Sequence, residues 1–65
     1  MMENGTVNFF NSDGGYGFIS ADIGGEDVFF HMHDVGGDDL PEGTTVEYDF
    51  EQAPKGPRAT RVVRV

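Results

Sequence analysis

The stretch from Thr45 to Glu51 carries the plainest pattern in the chain. Val46, Tyr48 and Phe50 alternate with Thr45, Glu47, Asp49 and Glu51. That two-residue period puts one face of an extended strand in a core and the other in water. Elsewhere β-branched and aromatic residues occur in short runs cut by Gly and Pro. The longest stretches free of both are ten residues, 26–35 and 44–53, and neither spaces its apolar residues as a helix requires. The pattern predicts five strands and essentially no helix: Gly5–Asn11, Tyr16–Ala21, Asp27–Met32, Thr44–Glu51 and Arg58–Val65. NSDGG and DIGG form the first two turns, with Gly14 and Gly15 free to take positive φ. Residues 33–43 make a longer loop, and QAPKGP turns the chain into the last strand. There Ala59, Val62, Val63 and Val65 do not share one parity, which predicts a bulge.

Five short antiparallel strands joined by thin turns leave exposed sheet edges, and closing them into a small barrel removes that liability. The expectation is an all-β, five-stranded antiparallel barrel, one domain over residues 1–65. At this length a domain buries roughly 60% of the surface its unfolded chain exposes, so its stability is marginal.

One feature does not fit a simple core. Ile19 belongs inside, so Tyr16 and Phe18 share the opposite, outward face of the second strand. On the third, Val28 and Phe30 share the core parity while Phe29 and His31 face out. The first strand adds Phe9 or Phe10, since adjacent aromatics cannot both be buried in a flat strand. Paired rings two apart are often no more than cross-strand packing partners. A contiguous ring patch on so small a chain, however, is more than packing requires. Rings in a row on a sheet form a platform for unpaired bases, each stacked base contributing roughly 1–3 kcal/mol, and the need for unpaired bases selects single strands. In this reading Gly17 lowers the surface between the rings so that a base or sugar lies flat.

Charge narrows the binding mode. Twelve acidic residues against four basic ones give a net charge of −8 and a pI near 4.2. The four cations, Lys55, Arg58, Arg61 and Arg64, all follow the last carboxylate side chain. Such a balance argues against gripping phosphates by charge alone. It suits a salt-rich cytosol, where carboxylates keep the surface hydrated and their repulsion is screened. With no cysteine there is neither a disulfide nor a thiolate metal site. The first residues, MMENGTVNFF, lack the basic start and apolar run of a signal peptide. No apolar stretch approaches the ~20 residues of a membrane span. The expectation is a cytoplasmic monomer without cofactor.

Other constellations carry less. His31 and His33, with Asp34 nearby, offer too few fixed ligands for a zinc site. Asp38, Asp39 and Glu42 match no calcium loop and read as solvated surface. GGYG and IGG open no helix and so imply no phosphate loop. No nucleophile triad or paired-carboxylate arrangement is recognisable, so no enzyme is expected.

The motifs together resemble a known family. GTVNFFNSDGGYGFIS resembles the opening of a cold-shock domain, EDVFFHMHDV its second nucleic-acid-binding motif, and LPEGTTVEYDF and KGPRATRVV its closing half. The resemblance implies an OB-type barrel that binds single-stranded RNA and DNA and acts as a nucleic-acid chaperone, with no small-molecule substrate. It places the stacking platform at Phe9, Tyr16, Phe18, Phe29, His31 and Met32, edged by Asn8, Asp27, Lys55 and Arg58. Phe10 also falls at a family aromatic position. The chain departs from the family pattern in having Phe9 where a Trp is usual and Met32 where an aromatic is usual. It also has Asn8 and Gly14 where lysines are expected, and only GGDD in the loop after the third strand. Rings kept and lysines lost leave the interaction least weakened by salt, because phosphate contacts gain their energy from counterion release. The competing reading is an acidic protein-interaction module that uses the aromatic face as its interface.

Overall fold

In the computed structural model, which describes residues 2–35 and 40–65, five strands close into a barrel. The strands are β1 (Met2–Asn11), β2 (Tyr16–Ala21), β3 (Asp27–His31), β4 (Thr45–Ala53) and β5 (Gly56–Arg64). Around the barrel they run β1-β2-β3-β5-β4. All neighbours are antiparallel except β3 and β5, which run parallel where Phe29 meets Arg58. The isolated bridge Val35–Val62 continues this parallel contact. The expected wholly antiparallel barrel is corrected here: closure needs β5 to return beside β3, and the order of the chain gives that contact the same direction.

The turn after β1 is built by local polar chemistry. The Asn11 side-chain oxygen accepts from the Gly14 N–H at 2.9 Å, and the Asn11 carbonyl accepts from the Gly15 N–H at 2.9 Å. Gly15, at φ 73°, supplies the left-handed residue that closes the hairpin. At the same end of the sheet, where Tyr16 pairs with His31, β3 stops at His31. Met32, expected as its last residue, instead opens a short 3-10 turn, Met32–Asp34. There the Val35 N–H donates to the Met32 carbonyl at 3.1 Å.

Two bulges decide which side chains face inward. On β1, Val7 pairs with Ile19 and Phe9 with Phe18, leaving Asn8 as the extra residue. The slip restarts the alternation, so Val7 is buried, Asn8 and Phe9 point to solvent, and Phe10 turns back in. Phe10 packs against the core with its ring parallel to Phe30, centroids 6.3 Å apart. On β5, the partners of Glu47 and Asp49 are Val63 and Thr60, so β5 spends one residue more than β4. Arg61 absorbs it at φ 54°, which lets Ala59 and Val62, three apart, both reach the core while Val63 faces out. This is the bulge that the broken parity predicts.

The core is Val7, Ile19, Val28, Phe30, Leu40, Val46, Tyr48, Ala59 and Val62. Leu40 comes from no strand and was not foreseen. Phe50, expected inside with Val46 and Tyr48, is 43% exposed. It keeps the inward parity but stands at the barrel rim, lining a shallow depression with Ile23, Glu3 and Glu26. Gly17 is buried and faces the core. A Cβ there would lie 2.7 Å from the Phe30 ring and 2.4 Å from the Phe9 carbonyl oxygen. Gly17 therefore admits Phe30 to the core beneath the sheet and does not lower the floor between the outer rings, as had been expected. Of the acidic cluster 38–42, Asp38 and Asp39 lie outside the described residues, as does the GGDD loop, while Glu42 is exposed.

Candidate nucleic-acid interface

The outward faces of β1, β2 and β3 hold four rings in mutual contact. Phe18 on β2 stands opposite Phe29 on β3 and beside Phe9 on β1. Centroid separations are 5.8 Å for Phe18–Phe29, 6.4 Å for Phe9–Phe18 and 6.4 Å for Tyr16–Phe18. Tyr16 closes the group at 6.0 Å from both Phe9 and Phe29. Most of these pairs are tilted or edge-on, the geometry aromatic quadrupoles favour. The edge contacts hold the rings upright, and their remaining surface faces solvent: Phe9 is 40% exposed, and Tyr16, Phe18 and Phe29 are half-buried.

His31 extends the patch along β3, paired with Tyr16. Its Nδ1 accepts from the His33 N–H at 3.1 Å, and the two imidazole centroids lie 4.4 Å apart. That bond fixes the His31 ring and leaves its Nε2 edge as the polar edge offered to a ligand. Met32, half-buried, is held at the β1–β2 turn by its N–H donating to the Gly15 carbonyl at 2.9 Å. Asn8 is exposed on the β1 bulge beside Phe9, and Asp27 is exposed on β3, two residues before Phe29 on the same face.

The second edge comes from the β4–β5 turn. A groove of about 780 Å³ runs between that turn and β3, lined by Phe18, Phe29, His31 and His33 on one side and Pro54, Lys55, Pro57 and Arg58 on the other. The parallel β3–β5 contact creates it by bringing Arg58 opposite Phe29. Lys55 is exposed at the groove's mouth. Arg58 is not a free cation: its Nη2 donates to Asp34 Oδ2 at 3.0 Å. Its Nε is buried and has no acceptor.

All ten residues proposed from the sequence therefore lie on this wall or at its margins. Two further residues adjoin this wall. His33, exposed, flanks His31 and lines the groove. Asp34 was weighed only as a metal ligand, and it engages Arg58 instead. Among the described residues no three His, Cys, Asp or Glu side chains converge as a metal site would need. The Asp34–Arg58 contact depends on the β3–β5 pairing, which no local pattern encodes, whereas His33 is tied to His31 two residues away.

The comparisons agree with this geometry. Residues 3–65 match the model of the 'Cold-shock' DNA-binding domain family. The chain is 45% identical over 64 residues to Cold shock protein ScoF of Streptomyces coelicolor, covering 94% of this chain and 96% of that protein. It is 48% identical over 64 residues to Cold shock protein 2 of Lactiplantibacillus plantarum, with the same coverage. Among solved structures, Drosophila Unr CSD456 superposes with a TM-score of 0.83 at 21% identity, over all of this chain and 27% of that longer one. Sequence and architecture thus converge, and the chain belongs to the cold-shock domain family.

Proposed function

We propose that this protein binds single-stranded RNA and DNA by stacking unpaired bases on Phe9, Tyr16, Phe18, Phe29, His31 and Met32, and that it acts as an RNA chaperone. Asn8, Asp27, Lys55 and Arg58 border the bound strand. The observation that carries the reading is the four-ring network spread over three adjacent strands. Such a surface exposes apolar area that folding alone does not require, and it offers π-faces to any base.

Stacking also accounts for the charge. With a net charge of −8, the protein repels a polyanion at long range, and at most a few cations border the site. Affinity then rests on ring contact, which salt weakens little, while each phosphate contact contributes a salt slope of only about −0.7 on a single strand. A salt-rich cytosol is the setting in which this balance works best. No helix among the described residues is long and apolar enough to cross a membrane. The proposed site of action is the cytoplasm, where single-stranded RNA is met. One platform per chain supports action as a monomer. Melting of structured RNA follows from the same preference, because a surface that binds only unpaired bases shifts the equilibrium toward them.

The test is a titration with short oligothymidylate and oligouridylate in dilute buffer and in molar KCl. Binding is expected in both, with a shallow salt dependence. Absence of binding in both ends the proposal, and recovery of a protein partner after nuclease treatment would then favour the interaction module.

A further inference from the structure

Arg58 lines the groove beside Phe18 and Phe29, where a phosphate linking stacked nucleotides would pass. Asp34 reaches it from the 3-10 turn after β3, and the two side chains are 42% (Arg58) and 19% (Asp34) exposed. The pair therefore sits at the edge of the groove, within reach of an incoming strand. To a guanidinium, a carboxylate and a phosphodiester are the same kind of partner, an anionic oxygen acceptor. Asp34 already fills that role.

We propose that Asp34 is a built-in competitor for phosphate at Arg58, and that it makes the site select strands by their bases and not by their backbone charge. The inference rests on the stacking function above and adds a specificity-determining residue to it. A duplex presents phosphates but no accessible base faces, so its affinity comes almost wholly from the phosphate contacts. A single strand keeps the rings. Internal neutralisation of Arg58 removes one phosphate contact from both ligands and thereby widens the gap between them.

The geometry also sets the strength of the competition. Asp34 engages the guanidinium through Nη2 and a single carboxylate oxygen. A phosphate offering two oxygens to the terminal nitrogens matches the fork better than this single contact does. The lock is soft: it reduces the contribution of Arg58 without abolishing it.

Asp34→Asn keeps shape and acceptor while removing the charge. It is expected to tighten oligothymidylate binding in dilute buffer by roughly two- to fivefold, the size of an ion pair near the protein surface. The salt slope should steepen measurably, by up to about 0.7, the value of one whole phosphate contact. Binding of a duplex of equal length should rise by at least the same factor, narrowing the single-strand preference. Two controls separate this from a general loss of negative charge. Glu47→Gln removes one carboxylate from β4 and should leave the slope unchanged. In an Arg58→Gln background, Asp34→Asn should do no more than Glu47→Gln. Melting curves establish that each variant is folded, and Asp34→Ser is read in the same way should the Asn variant not fold. An unchanged slope, or an equal gain with and without Arg58, overturns the competitor role and leaves the stacking function standing. Loss of all oligonucleotide binding in the native protein removes both.

Discussion

Phe18 and Phe29 face each other across the β2–β3 ladder, their rings 5.8 Å apart and 71° from coplanar. The arrangement is edge-to-face and both rings stay half-exposed, so both contribute to one binding surface. Phe18→Ala and Phe29→Ala are each expected to weaken oligonucleotide binding by about 1–3 kcal/mol, the contribution of one stacked base. Because the rings touch, the double variant should lose less than the sum. Glu47→Ala, on β4, should change affinity little. Fluorescence titration of the folded variants decides: equal effects at all three positions contradict the platform.

Gly17 has a structural duty that its place between two outward rings conceals. Its inward side is where the Phe30 ring lies, 2.7 Å from the position of an added Cβ. Gly17→Ala must be accommodated against both that ring, in the fully buried core, and the Phe9 backbone carbonyl. The expected cost is about 1–3 kcal/mol of stability, as for other overpacked cores, measured by denaturant unfolding. A variant as stable as the native protein would show that the sheet yields there freely.

Legibility in the sequence followed the range of the interactions. Strand positions, the turn at Asn11–Gly15 and the outward set Tyr16, Phe18, Phe29 and His31 depend on the two-residue period and on local turn chemistry, and they were readable. The β5 bulge was readable because Ala59 and Val62 break parity. The β1 bulge was not: without it Phe9 faces inward and Phe10 outward, and only the register against β2 shows that Asn8 is the extra residue. Leu40 and Phe50 were misplaced for a related reason. Whether an apolar side chain meets a core depends on what stands opposite: Leu40, outside any strand, packs into the core cluster, while Phe50, on the inward parity of β4, stays 43% exposed. The Arg58–Asp34 pair spans 24 residues and depends on the parallel closure, the one strand contact whose direction was not anticipated.

Tyr48 supplies a pH signature independent of binding. Its side chain is buried, and burial together with the nearby charges of Glu3, Asp22 and Glu26 pushes its phenol above the usual value. The neutral form is thus favoured in the folded state. Stability from this group is complete below about pH 10, the ordinary phenol value, and is lost as pH rises through the elevated folded value. Melting temperature should therefore fall on the alkaline side, and Tyr48→Phe should flatten that decline. An alkaline limb identical in the Phe variant assigns the loss to other groups.

Salt should act in opposite senses on folding and on phosphate contact. The folded chain concentrates twelve carboxylates against four cations within a radius of gyration of 10.2 Å. That is close to the Debye length of about 10 Å at 0.1 M salt, which falls to about 3 Å at 1 M. At low ionic strength the carboxylates repel across the whole molecule; in molar salt each is felt only by near neighbours. Unfolding spreads the same charges apart, so screening relieves the folded state more than the unfolded one. The exposed Arg61–Asp49 pair, at 3.6 Å, loses little when screened, since such pairs contribute at most about 1 kcal/mol. Melting temperature is therefore expected to climb from dilute buffer to molar KCl, while the affinity of the folded protein for oligothymidylate falls only slightly. Calorimetry and titration on the same samples test both halves. A melting temperature independent of salt would show that charge repulsion does not limit this fold, and would remove the reason for reading its acidity as an adaptation to salt.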